Sequence, residues 1–156
     1  MLGSTDVAVA VNQVINELVA RIPACHGFDV FDSWPLSSNT RDFVAVGVDD
    51  LFSTSAADSA EATIDWAHAS GRAADEEGRV IIAIHAARGE SEAAVARAAV
   101  IAQLNAIDDW LRSERHPFGL PSIWSVRIDS YRLGQDQTSD GAICAISARI
   151  AYRARI

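Results

Sequence analysis

Segment 142–156 constrains the fold more than any other part of the chain. Ala142, Cys144, Ile146, Ala148, Ile150, Tyr152 and Ala154 alternate there with Ile143, Ala145, Ser147, Arg149, Ala151, Arg153 and Arg155. A period of two belongs to a β-strand, whose successive side chains point to opposite faces of a sheet. The first set is almost wholly apolar and needs cover, while the second carries three arginines and suits a solvated face. Ser122 to Leu133 precedes it as another long strand, and Gly134-Gln135-Asp136-Gln137-Thr138-Ser139-Asp140-Gly141 joins the two. That link is polar and bounded by glycine, which predicts a hairpin with a mobile tip. A hairpin is not stable alone, so the rest of the chain must supply further strands and something to cover the apolar face.

The preceding residues offer both. Val7, Val11, Val14, Ile15, Leu18, Val19 and Ile22 recur at steps of three and four, predicting a first helix over Asp6 to Ile22, with Ser4, Thr5 or Asp6 as N-cap and Pro23 as its stop. Phe28 to Phe31 and Phe43 to Val48 predict short strands separated by a Ser/Pro/Asn-rich loop, and Leu51 to Ser59 a second loop. Ala62, Ile64 and Trp66 alternate with Glu61, Thr63, Asp65 and Ala67, as in a strand with one buried face. A polar turn is expected over Ser70 to Gly78, carrying Asp75-Glu76-Glu77. Val80 to His85 then forms the second arm of an antiparallel hairpin, with both faces at least partly covered. Ser91 to Arg115 carries Val95, Ala98, Ile101, Leu104, Ile107, Trp110 and Leu111 on one broad stripe and predicts a long second helix ended by Pro117 and Gly119. The expectation is a single α+β domain over residues 1–156, with a mostly antiparallel β-sheet packed against two main α-helices.

Composition narrows the class of protein. With 49% hydrophobic and 22% charged residues the chain has enough apolar material for a core without being lipid-soluble, and its longest apolar run falls short of a membrane span. No secretory signal pattern opens it, so synthesis in the cytoplasm is expected. Cys25 and Cys144 stand far apart and read as small buried residues. A net charge of −8 disfavours nucleic-acid binding.

The residues that carry chemistry do not assemble into a known pattern. His26, His68, His85 and His116 lack metal-ligand spacing, there is no nucleophile elbow, and the glycines are scattered. Asp49-Asp50, Glu76-Glu77 and Asp108-Asp109 are adjacent pairs whose members diverge on either a strand or a helix. We therefore expect no catalytic residue, no metal and no cofactor. The informative residues are instead those of a candidate interface. Arg149, Arg153 and Arg155 share one strand face, and Glu61 and Asp65 share a face of an earlier strand, so complementary charged stripes are available to orient a neighbouring subunit. A weakly paired, solvated sheet face is the plain alternative. Trp34, in an irregular Pro-containing loop, and the polar residues Gln135, Asp136 and Gln137 are further interface candidates, as is Trp124, whereas Trp66 and Trp110 suit the core.

Taken in order, these pieces resemble the tail terminator proteins of long, flexible-tailed bacteriophages, especially those of actinobacteria. The resemblance is carried by the N-terminal helix leading to Phe28-Asp29-Val30-Phe31-Asp32-Ser33-Trp34-Pro35, and by Phe43-Val44-Ala45-Val46-Gly47-Val48-Asp49-Asp50. The Trp66 strand, Asp75-Glu76-Glu77-Gly78 before Val80, the alanine-rich helix and the ending Ala151-Tyr152-Arg153-Ala154-Arg155-Ile156 extend it along nearly the whole chain. It implies a structural virion protein that forms a homohexameric ring on the head-proximal end of the tail tube. Its partners would be copies of itself, the major tail tube protein and the head–tail connector or stopper, with DNA passing through the lumen without specific binding. Other neck proteins, the stopper and the adaptor, share this style of sequence and are the nearest alternative. Two other classes compete: a small-molecule-binding α+β domain with a pocket lined by Trp66, Ile82 and Trp124 and served by Asp65 or His85, and a nucleic-acid module built on the three arginines.

Overall fold

The computed structural model describes residues 9–36, 41–50, 59–66, 73–89, 92–113, 117–139 and 141–156. Helix α1 spans Val9–Arg21 and helix α2 Ala93–Ser113; the strands are β1 (Asp29–Asp32), β2 (Phe43–Val46), β3 (Ala60–Trp66), β4 (Ala74–Arg88), β5 (Ile123–Thr138) and β6 (Gly141–Arg155). They form one six-stranded sheet in the order β1-β2-β4-β6-β5. β3 lies beside β2 rather than beyond it, because the two share one edge of β4: β2 pairs with Phe43↔His85 to Val46↔Ile82, and β3 with Ala60↔Val80 to Trp66↔Ala74. Every pairing is antiparallel except β1 with β2. The molecule is thus an α+β fold with a mostly antiparallel sheet and two helices.

Both helices lie on the same face of the sheet. Ala10, Val14 and Leu18 recur every fourth residue on α1, and Ala96, Val100, Leu104, Ile107 and Leu111 form the inner stripe of α2. They pack on Val80, Ile82, Ile84 and Ala86 of β4 and on Cys144, Ile146, Ala148, Ile150, Tyr152 and Ala154 of β6, the set that alternation in the sequence assigns to the covered face. On the opposite face a smaller cluster, Phe43, Ala45, Val48, Ile81 and Ala83, is capped by Phe31 and Trp34. β2 is therefore buried on both sides, which explains its unbroken apolar run.

A buried glutamine ties the two helices together. Gln103 is fully enclosed on α2; its Oε1 accepts the Cys25 N–H at 2.7 Å and its Nε2 donates to the Pro23 carbonyl at 2.8 Å, fastening the segment just after α1. Pro23 and the residues after it have left the helix, so their backbone groups need an outside partner. Gln103→Leu keeps the volume but strands both groups. We expect a loss of about 2–4 kcal/mol, measured by chemical denaturation.

Four features differ from the sequence reading. On α2 the expected stripe is displaced in its first half, where Val95, Ala98 and Ile101 are exposed and Ala96 and Val100 are buried. Asp75, Glu76 and Glu77 are not in a turn: β4 begins at Ala74, so these acids are strand residues paired with both β3 and β6. The link over Gly134 to Gly141 is not an eight-residue loop, because the ladder continues through Gly134↔Ala145 and Gln135↔Cys144 to Thr138↔Gly141 and leaves a two-residue connection. Backbone pairing to β6 outweighs the polar, glycine-flanked composition there. Finally, Trp66 is 54% exposed. Among the described residues β3 packs mainly on its neighbour β4, so the face carrying Ala62, Ile64 and Trp66 is largely open. The expected N-cap at Ser4, Thr5 or Asp6, residues 51–58 of the loop expected over Leu51 to Ser59, and the expected helix ends at Ser91 and Arg115 lie outside the described residues.

Candidate docking surface

The sheet face turned away from the helices carries an ordered lattice of charge. Register alone sets it out. Asp65 of β3, Asp75 of β4 and Arg155 of β6 form one row; Thr63, Glu77, Arg153 and Ser125 the next; Glu61, Arg79, Ala151 and Arg127 a third. Within these rows Arg155 Nη2 lies 2.8 Å from Asp75 Oδ1, and Arg153 Nε lies 2.8 Å from Glu77 Oε1. Arg79 reaches both ways, to Glu61 at 3.4 Å and, across the small Ala151, to Asp129 of β5 at 3.0 Å. Further along, Arg149 stands 3.5 Å from the buried Asp50. Between β3 and β5 the face forms an open trough of about 490 Å³, with Glu61, Thr63, Glu77, Arg79, Arg127 and Arg153 among its walls.

The arginine stripe is thus real, and it is answered inside the protomer. Its partners are Asp50, Glu77 and Asp75, not Glu61 and Asp65, because β4 lies between β3 and β6. Exposed pairs of this kind are worth about 1 kcal/mol or less each, so their main effect is to fix the pattern of charge that a partner meets. Glu61 is already engaged by Arg79, whereas Asp65, Arg127 and Arg132 have no ion-pair partner among the described residues.

The aromatic candidates fall in different places. Trp34 is half-buried: its indole N–H donates to Asp49 Oδ1 at 2.7 Å and its ring meets Phe43 edge-on at 6.4 Å, closing the smaller apolar cluster. Trp124 is 47% exposed at the start of β5, with the Arg155 guanidinium 4.8 Å above its ring. Gln135, Asp136 and Gln137 are exposed strand residues, and Gln135 accepts a hydrogen bond from Arg97 of α2 at 3.1 Å. Trp66, Ile82 and Trp124 do not line one cavity, since Ile82 is sealed under the helices while Trp66 and Trp124 are exposed on separate strands. The pocket required by the small-molecule reading is therefore not built from them. His85 stacks on Phe43 at 4.9 Å with Nδ1 2.8 Å from the Arg41 carbonyl. His68 and His116 lie outside the described residues, and among the described residues no group of three or more potential ligands could hold a metal ion. No helix among the described residues is long and apolar enough to cross a membrane.

One functional-looking group escaped the sequence reading. Glu76 is buried on the helix side of the sheet; the Tyr152 hydroxyl donates to its Oε1, and Oε2 has no hydrogen-bond partner among the described residues. Burial pushes the Tyr152 hydroxyl's pKa up, and the bond to Glu76 and the nearby carboxylate charge raise it further. Parity was the available signal, because Glu76 shares the even positions of Val80, Ile82 and Ile84 once the strand is extended back to Ala74. At the other end of β4, the Arg88 guanidinium is held further toward its charged form by Asp42, at 2.7 Å, against the opposing effect of burial.

The sequence matches no protein-family model and no curated protein.

Proposed function

We propose that this chain is a structural subunit of a bacteriophage tail: a tail terminator that forms a ring at the head-proximal end of the tail tube, stops its polymerisation and joins it to the head connector. The observation that carries this reading is the distribution of exposed aromatic residues. Trp66, Trp124 and Tyr131 stand 47% to 59% exposed on β3 and β5, next to a sheet face patterned in charge. Large amphipathic side chains left in water on rigid strands are what a docking surface requires, and such side chains supply the anchors of protein interfaces. The order of sequence pieces that resembles tail terminators supports the same reading, as does the acidic balance of −8, which lets DNA pass a lumen without adhering. The reading places the work of the protein in surfaces that meet copies of itself, tube subunits and connector subunits, with no turnover.

Two measurements test it. Six copies of the 16.7 kDa chain make about 100 kDa, the mass expected by mass photometry for the closed ring. Added to a polymerising tail tube protein of the same virion, the chain should halt growth and appear as a cap at one end of each tube in electron micrographs. Tubes that lengthen unchecked and uncapped, with the chain bound instead to the connector alone, would make it a stopper or adaptor.

A further inference from the structure

Three edges of the sheet remain unpaired among the described residues, the outer edges of β1, β3 and β5; β1 is only four residues long, so β3 and β5 offer the long ones. Exposed edges offer rows of backbone donors and acceptors that invite another strand. We propose that β3 of one copy adds to β5 of the next, antiparallel, in the register that sets Asp65 opposite Arg127 and Glu61 opposite Arg132. This deepens the ring reading and rests on it.

Direction comes first. β3 is antiparallel to β4, β4 to β6 and β6 to β5, so β3 and β5 run opposite ways within one sheet. A neighbour that continues the sheet by rotation without inversion therefore presents its β5 antiparallel to β3, the pairing slightly favoured per residue.

Spacing comes second. Glu61 and Asp65 are four residues apart on one face of β3. Arg127 and Arg132 are five apart, which on a regular strand would place them on opposite faces. The irregularity between Ile128 and Ser130 leaves Asp129 unpaired, so Arg127 falls opposite Ala151 and Arg132 opposite Ser147, four steps apart on one face. Both charged pairs then stand about 13 Å apart along their strands and can meet at once. The same register puts Thr63 beside Ser130. On the other face it puts Ala62 beside Tyr131, Ile64 beside Ile128 and Trp66 beside Val126, burying the exposed Trp66 and Tyr131 rings.

Charge excludes the symmetric alternatives. Pairing β3 with β3 sets acid against acid, and β5 with β5 sets arginine against arginine, whereas β3 with β5 matches opposite signs and engages Asp65, Arg127 and Arg132, which have no ion-pair partner among the described residues. A head-to-tail contact of this kind closes into a ring when its rotation allows.

The test uses full-length chains with Cys25→Ser, since the remaining cysteine, Cys144, is fully buried. Thr63→Cys and Ser130→Cys are introduced separately, mixed and oxidised. We expect the mixed disulfide as the dominant product, and a ladder of cross-linked oligomers when both substitutions are in one chain. Asp65→Arg alone and Arg127→Asp alone should each weaken association at least about tenfold, and the exchange of both in one chain should restore it to within about threefold of wild type. Homodisulfides as abundant as the mixed product, no mixed product, or single charge reversals without effect would each overturn the pairing. Wild-type rings of about 100 kDa without the mixed disulfide overturn the pairing and leave the ring standing; the mixed disulfide in a chain that fails to cap tubes leaves the pairing standing and overturns the terminator reading.

Discussion

Gly78→Ala should abolish stable folding or remove about 3–5 kcal/mol of stability, although it adds one methyl group to a strand. Gly78 of β4 stands opposite Tyr152 of β6, and the tyrosine ring lies across the space a side chain would fill: a Cβ built there comes 2.6 Å from Tyr152 Cε1. The ring cannot withdraw easily, because Tyr152 is 1% exposed and its hydroxyl is committed to Glu76. Displacing it breaks that bond and loosens the packing around Ala154 and Ile123 in the same core. Ordinary domains have only about 5–15 kcal/mol in total, so such a loss is a large share. Gly89→Ala is the comparison, since among the described residues its Cβ meets Glu92 Oε2 alone, at an ordinary 3.5 Å. Guanidinium denaturation of the two variants checks the prediction; equal midpoints would show that the ring over Gly78 moves freely.

The second large effect is expected from Tyr152→Phe. Loss of one hydroxyl leaves Glu76, 1% exposed, with neither carboxylate oxygen partnered among the described residues. An orphaned buried acid costs about 3–5 kcal/mol, far more than the net worth of an ordinary hydrogen bond. The cost belongs to the pair and not to the phenol, so Glu76→Met combined with Tyr152→Phe should return most of the lost stability, to within about 1–2 kcal/mol of wild type. Thermal and urea unfolding of both variants separate the possibilities. A double variant as unstable as Tyr152→Phe would mean that Glu76 is tolerated without its partner.

These two positions also show how far the sequence could be read. Alternation in 142–156 names the covered face of β6 correctly, and the stripe of α1 is legible because a period near 3.6 survives in the order of residues. On α2 only the second half is legible: alanines on every side blur the apolar face of the first half, so Val95, Ala98 and Ile101 prove exposed while Ala96 and Val100 face the core. Asp75-Glu76-Glu77 was misread because three acids before a glycine have the composition of a turn. What turns Glu76 into a core residue is a hydroxyl 76 positions away, and no local rule reports that. Trp66 fails for another reason: alternation tells which face a side chain joins, not whether anything covers that face. At the candidate interface, parity put Arg149, Arg153 and Arg155 together, yet their partners depend on which strand lies next to β6. Within the protomer Glu61 and Asp65 lie one strand too far from β6 to meet these arginines; Asp50, on no strand at all, takes the place beside Arg149. The parallel placement of β1 on β2 likewise has no signature in either segment.

The central position of β6 governs when the molecule can become whole. It is translated after every other strand of the sheet, yet it lies between β4 and β5 and pairs with both along nearly its full length. On the ribosome, therefore, β4 and β5 wait with facing bare edges until β6 clears the exit tunnel and zips between them. Until that insertion the nascent polypeptide offers wider adhesive margins than the folded sheet does, so the emergence of β6, and not of the earlier helices, marks the moment at which it becomes safe from sticking to its siblings.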